Sequence, residues 1–139
     1  SPQFSDTTND ASAGAVLLAV WASRNMTWSD VGVAKSETSV ALVMKDSDEE
    51  RGKRMCRSGR LIQITAEKTD WGKLYSGLMM TGDGDLISYL AVGSTGTLVE
   101  GDKTYFCGVV IGRYDYSNSA GGTGHAVQQV GMFDLPENR

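Results

Sequence analysis

The sequence predicts an all-β protein, a barrel of five strands that follows a short helical N-terminal extension. Three observations lead to this fold class. The 139 residues include 17 Gly and only 2 Pro, and the glycines fall where turns and strand bends are expected. Five segments with period-two alternation follow residue 53, and helical spacing is confined to the residues before it. The length suits one globular unit, which we divide into an extension at residues 1–47 and a barrel at residues 48–139.

Helical spacing marks the extension. Residues 13–23 are predicted to form a helix in which Leu17, Val20 and Trp21 share one face. Residues 36–45 mix the helical and the extended periods, so both structures stay open there. The apolar stripe needs a partner, which is either the open end of the barrel or another protein chain. The candidate partner-binding residues are Leu17, Val20, Trp21 and Trp28.

Five strands and one helical turn are predicted beyond the extension. Ser47 followed by Glu50 has the form of a capping box and predicts the helical turn. In the first strand, Ile62 and Ile64 are expected to share one face, with a bulge or bend at Gly59. The predicted strands span residues 54–67, 73–81, 86–92, 104–116 and 125–133, with a hairpin turn at residues 82–85.

The charge distribution argues against a broad polyanion-binding surface. The net charge is −4 at pH 7, and residues 1–50 hold eight acidic residues against three basic ones. Nucleic-acid-binding domains, in contrast, are usually net basic. A basic cluster at residues 51–60 directly follows the acidic residues 46–50, so we expect its members to form ion pairs within the chain. The cluster consists of Arg51, Lys53, Arg54, Arg57 and Arg60.

Two cysteines leave two alternatives open. Cys56 and Cys107 are either buried thiols or a disulfide, and a disulfide would indicate an oxidising compartment. With a single His in the chain they cannot form a tetrahedral zinc site, and no metal or cofactor is expected. The longest apolar run, residues 13–22, is shorter than the roughly 20 residues that a membrane-spanning helix needs. No membrane span is therefore expected, although an anchor or signal could precede Ser1.

No motif in the sequence predicts an enzyme. His125 is the only His, and the serines that it could join, Ser94, Ser117 and Ser119, lie in no nucleophile-elbow motif. Asp83 and Asp85 lack the remainder of a calcium-binding loop. The glycine-rich segments at residues 93–96 and 121–124 lack the spacing of a phosphate-binding loop. We therefore expect a non-enzymatic binding module.

Several short motifs resemble a known family of oligonucleotide/oligosaccharide-binding (OB) barrels. Residues 51–64 read Arg-Gly-Lys-Arg-Met-Cys-Arg-Ser-Gly-Arg-Leu-Ile-Gln-Ile, and residues 98–102 read Leu-Val-Glu-Gly-Asp before Phe-Cys-Gly-Val-Val at 106–110. With Tyr-Asp-Tyr at residues 114–116, these motifs resemble the tRNA_anti-like OB-fold family of bacterial lipoprotein-type and exported proteins. The resemblance covers about residues 48–135. It implies a five-stranded Greek-key barrel and favours an exported over a cytoplasmic location.

The resemblance also implies where a ligand would bind. OB barrels bind oligomers on the outer face of strands two and three and on the loops beside it. The candidate ligand-binding residues are Trp71, Lys73, Tyr75, Tyr89, Arg113, Tyr114, Tyr116 and His125. Alternatively, these side chains cover the ends of the barrel or contact the extension. Strands one and four pair in such a barrel, which would bring Cys56 and Cys107 within disulfide distance.

Two binding functions are consistent with this arrangement. Aromatic and cationic side chains suit single-stranded nucleic acid, because bases stack on aromatic rings. The acidic chain instead favours a protein partner or self-association over nucleic acid.

Overall fold

The computed structural model describes residues 25–69, 72–117 and 121–139. The predicted helix at residues 13–23, with Leu17, Val20 and Trp21, lies outside these ranges, as does Trp71. Within them, no helix is long and apolar enough to cross a membrane. The helices are α1 (Trp28–Val31), α2 (Val40–Lys45), α3 (Ser47–Glu50) and a final 3-10 turn (Pro136–Asn138), and the strands are β1 (Arg54–Thr69), β2 (Gly72–Thr81), β3 (Leu86–Ala91), β4 (Lys103–Ser117) and β5 (Thr123–Phe133).

The five strands close into a barrel in the order β1-β2-β3-β5-β4. Neighbouring strands are antiparallel except β3 and β5, which are parallel. The first half of β1 pairs with β4, and its second half pairs with β2. The predicted all-β, five-stranded barrel is therefore confirmed.

A bulge in β1 changes which of its side chains face the core. The pairing with β2 shifts between Leu61 and Gln63. Leu61 is buried and Ile64 packs against the core, whereas Ile62 is 41% exposed. The prediction that Ile62 and Ile64 share one face is wrong, because the extra residue of a bulge interrupts strict alternation.

Three aromatic side chains form the centre of the barrel. The rings of Tyr89, Phe106 and Phe133 lie 5.1–5.6 Å apart in edge-on and tilted contacts. The Tyr89 hydroxyl donates a 2.7 Å hydrogen bond to the Gln63 carbonyl oxygen in β1. Burial raises the pKa of Tyr89, so the phenol stays neutral and retains this bond.

Residues before β1 are part of the core rather than an appendage. Val40 and Val43 of α2 belong to the interior cluster with Met55 and Val127. Of the two structures left open for residues 36–45, the helix forms over Val40–Lys45, and Ser39 caps it by accepting a hydrogen bond from the Leu42 N–H. One end of the barrel is thus closed by a helix that precedes the first strand.

The predicted helical turn forms as α3, but with a different cap. The Asp46 carboxylate accepts the hydrogen bond from the Glu49 N–H, so Asp46 rather than Ser47 is the N-cap. Glu50 does not reach back to complete a capping box. It is buried, and its carboxylate accepts hydrogen bonds from the Thr38 hydroxyl at 2.6 Å and the Lys53 ammonium at 2.9 Å.

A second apolar layer lies outside the barrel. Val31 of α1 is fully buried on it, and Met26, Trp28 and Val33 pack against its edge. This part of the extension therefore covers outward-facing side chains of the sheet. The strand residues in this layer are Cys56, Leu74, Leu90, Cys107, Val130 and Met132.

Candidate functional site

The two strands that close the barrel, β1 and β4, are linked on the outer and on the inner face of the sheet. On the outside, Cys56 and Cys107 stand directly opposite each other in β1 and β4 and form a disulfide. On the inside, the fully buried Gln129 amide donates hydrogen bonds to the carbonyl oxygens of Met55 at 2.9 Å and Gly108 at 3.0 Å. These carbonyls belong to the residues next to the two cysteines. We call this region the seam.

The predicted placement of Tyr75 and Tyr89 on the outer face of β2 and β3 is wrong, because their side of these strands faces the barrel interior. Tyr89 is 1% exposed in the core, and the half-buried Tyr75 packs against the same interior cluster. Lys73 shares their side of the sheet but is exposed, because it lies at the end of the β1–β2 hairpin. Alternation shows which side chains share a face, but not which face is buried.

The predicted residues of the β4–β5 hairpin lie on two different faces. Asp115 pairs directly with His125, and its Oδ1 lies 2.6 Å from the His125 Nδ1 and 3.0 Å from the Arg113 Nε. Desolvation pushes the Asp115 pKa upward, but the hydrogen bonds from His125 and Arg113 outweigh it, so the pKa is lowered overall. This exposed cluster satisfies its own charges.

Two tyrosines occupy the other face of that hairpin. The rings of Tyr114 and Tyr116 stack with centroids 6.0 Å apart. Tyr116 also lies on the neighbouring strand over Gly124, where an added Cβ would collide with the ring. Glycine at this position is what allows the ring to lie flat on the sheet, so the Tyr116 ring contacts protein as well as solvent.

The basic cluster is neutralised within the chain, as predicted, with one exception. Arg51 pairs with Asp48, Lys53 with Glu50, and Arg54 with Glu37. Arg57 lies 3.1 Å from Asp83 and 3.9 Å from Asp85, which ties the β2–β3 turn to β1. Arg60 has no ion pair among the described residues and donates to the carbonyl oxygen of Gly101.

Trp28, a predicted partner-binding residue, contacts the C-terminal end of the chain. The Arg139 guanidinium lies 5.2 Å above its ring, and both residues line a cavity of about 550 Å³ between α1 and the final 3-10 turn. The polar groups of this cavity bind each other, because the Asn138 amide exchanges hydrogen bonds with the main chain of Ser94. Trp28 therefore packs mainly within the molecule.

A surface that sequence reasoning missed crosses the outside of the barrel. Arg60 of β1 is opposite Lys103 of β4 on one side and Met80 of β2 on the other, and Met80 is opposite Leu86 of β3. We call these four residues the outer row. Ile62 and Leu78 adjoin it, and Ile62 and Met80 are each 41% exposed. Alternation could have revealed this surface. If Tyr89 faces the interior, then Leu86 and the Met80 opposite it must face outward.

No family model, curated protein or solved structure matches the chain.

Proposed function

We propose that this protein is a non-enzymatic OB-type module that binds a protein partner on the outer face of β1, β2 and β3. The observation that carries the proposal is the apolar part of this face. Ile62 and Met80 are each 41% exposed and lie beside the half-buried Leu78 and Leu86. Within the described chain, residues 26–33 cover a different part of the outer surface. Contiguous exposed apolar side chains rimmed by polar ones are typical of interaction sites.

The OB type, and with it the resemblance to the tRNA_anti-like family, is part of this proposal. Its support is the strand order, in which β1 pairs with both β2 and β4 and β5 lies between β3 and β4. Residues 92–102, which connect β3 to β4, contain turns and no helix, and α2 closes the barrel end instead. The disulfide supports the related proposal of an exported protein.

Side-chain chemistry favours a protein partner over nucleic acid on this face. Base stacking needs accessible aromatic rings, but Tyr89 is in the core and Tyr75 packs against it. Leu78, Met80 and Leu86 occupy the corresponding outer positions. The net charge of −4 adds repulsion toward a polyanion.

One observation favours single-stranded nucleic acid as a second candidate. Lys68 and Lys73 are both exposed and stand directly opposite each other at the end of the β1–β2 hairpin. Like charges in this position repel, and a phosphate group would relieve the repulsion. Fluorescence anisotropy with a labelled single-stranded oligonucleotide separates the candidates, because binding that weakens steeply with salt would favour nucleic acid.

Partner capture by matched variants tests the proposed function. The tagged full chain, its Ile62→Lys/Met80→Lys variant and a Leu42→Lys control are used to purify partners from the source cells. Leu42 is a suitable control because it is 45% exposed but lies on α2. We expect a partner that the wild type and the control retain in equal amounts and the face variant loses. Equal retention by all three proteins would contradict the proposal.

A further inference from the structure

We infer that the partner presents an acidic segment with adjacent apolar side chains, which lies along the outer row across β4, β1, β2 and β3. This inference rests on the proposed function and adds the chemistry and direction of the contact. The row begins at Lys103 and Arg60 and ends at Met80 and Leu86. Its basic half and its apolar half are therefore at opposite ends.

The register makes the row continuous. Adjacent strands lie about 4.8 Å apart, so four side chains in line span about 15 Å. An extended peptide of about five residues covers that distance. A short linear segment is therefore sufficient to contact both halves of the row.

The basic half carries positive charge that no carboxylate of the described residues neutralises. Arg60 and Lys103 are exposed and directly opposite each other, and neither has an ion pair among the described residues. The neighbouring Arg51, Arg54 and Arg57 all have carboxylate partners. Two like charges side by side on a sheet are unfavourable unless something neutralises them. Carboxylates of a partner would remove this repulsion and determine its orientation.

The apolar half determines what must lie beside those carboxylates. Met80 and Ile62 are exposed, and the unbranched Met side chain adapts to apolar groups of different shape. Tyr105, 39% exposed, lies beside the basic half, two residues along β4 from Lys103 and opposite Ser58. Tyr and Arg are common at the energetic centres of interfaces. The complementary ligand is therefore acidic and apolar together, rather than acidic alone.

A peptide array probes this chemistry with the full-length chain. The array carries synthetic peptides of about ten residues that combine Asp or Glu with Leu, Phe or Met. A second set has Lys or Arg in place of the acids, and a third has acids with Ser in place of the apolar residues. We expect measurable binding to the first set only. Binding that does not depend on the charge or the apolar content of the peptides would overturn the inference.

Two charge variants show whether the outer row is responsible. Arg60→Glu/Lys103→Glu is compared with Lys35→Glu/Lys45→Glu, which makes the same change in net charge at exposed positions outside the row. We expect the first variant to bind the acidic peptides about tenfold or more weakly, and the control to stay within about twofold of wild type. Unchanged circular dichroism verifies the fold of both. Equal effects of the two variants contradict the inference.

Failure of the inference and failure of the proposed function give different results. If the partner captured through Ile62 and Met80 is retained by Arg60→Glu/Lys103→Glu, the proposed function stands and the acidic ligand is wrong. If the Ile62→Lys/Met80→Lys variant loses no partner, both the proposed function and the inferred acidic ligand are contradicted. Salt-sensitive oligonucleotide binding that requires Arg60 and Lys103 would show that the basic half binds phosphate, and would contradict the inferred acidic segment. Sedimentation velocity tests whether the occupant of the outer row is a second copy of the chain. A dimer that Arg60→Glu/Lys103→Glu abolishes would show that it is, and would contradict the inferred acidic segment.

Discussion

At the scale of single residues, Glu37 illustrates how the extension is attached to the barrel. Its carboxylate accepts hydrogen bonds from the Arg54 side chain at 3.0 and 3.1 Å and from the Arg54 backbone N–H at 2.9 Å. Glu50 makes a comparable attachment through Thr38 and Lys53. Both carboxylates are ionised acceptors, so both attachments depend on pH.

Stability is predicted to fall on acidification in a defined range. Hydrogen bonds from the Arg54 side chain, then its backbone N–H, lower the pKa of Glu37 from 4.5 to about 2. The unfolded chain therefore binds a proton before the folded one does, and the stabilisation is present above pH 4.5 and lost as pH falls toward 2. The hydrogen bond from Thr38, followed by that from Lys53, lowers the pKa of Glu50 in the same direction.

Urea unfolding between pH 7 and pH 2.5 measures this effect. We expect the Glu37→Gln variant to show a smaller loss of unfolding free energy over this range than wild type. Glu100→Gln is the control, because Glu100 is exposed and has no ion pair in the described part of the chain. Parallel pH profiles for wild type and Glu37→Gln would show that the Arg54 contact does not stabilise the fold.

Single residues also show why part of the site could be predicted and part could not. Alternation correctly grouped Tyr75 with Lys73 and Ile87 with Tyr89, but it carries no information on which group is inside. No residue pattern near Ile62 predicts the bulge, because the bulge arises from how β1 pairs with β2. A ligand face predicted from alternation alone therefore falls on the interior side of the sheet.

At the scale of elements, the seam between β1 and β4 closes the barrel. The disulfide lies in the outer apolar layer, with Cys107 fully buried and Cys56 7% exposed. The Gln129 amide lies on the inner face of the sheet, behind the disulfide. Its Oε1 accepts no hydrogen bond from the residues that the structure describes. Leaving a buried carbonyl unpaired costs about 1–3 kcal/mol, so the two bonds that its NH2 group donates must offset this cost.

A double-mutant cycle tests whether the two sides of the seam act together. We expect Cys56→Ala/Cys107→Ala to lower the unfolding free energy by about 2–4 kcal/mol. Gln129→Met removes the two buried hydrogen bonds that the side-chain amide donates and should cost about 1–3 kcal/mol. The combined variant should lose less unfolding free energy than the sum of the two effects. The reason is that the disulfide and the Gln129 hydrogen bonds each contribute less once the other is removed.

The measurement is urea unfolding, with Gln63→Met as the control at an exposed position. Additive effects within about 0.5 kcal/mol would show that the disulfide and the amide are independent.

Predictability from sequence also differed between elements. The long alternating strands and the turn at residues 82–85 were predictable because local pattern determines them. The role of α2 was not, since packing of Val40 and Val43 into the barrel depends on contacts with residues far along the chain. The disulfide was one of two alternatives that spacing alone could not separate, and strand pairing decides it.

At the scale of the whole molecule, the outer surface of the barrel is divided. The described part of the extension covers the side that includes Cys107, Val130 and Met132. The outer row and its neighbour Ile62 lie on a different side, where the described chain does not cover them. A protein with a net charge of −4 thus presents a local surface that is both basic and apolar.

Site-specific photocrosslinking tests this division most directly. A photoreactive amino acid replaces Ile62 in one protein and Leu42 in another, and both are irradiated in the source cells. The two positions are comparable, with 41% and 45% exposure. We predict a discrete crosslinked partner from position 62 that Met80→Lys abolishes, and no such product from position 42. The same products from both positions, or none from position 62, would contradict the assignment of this face as the binding surface.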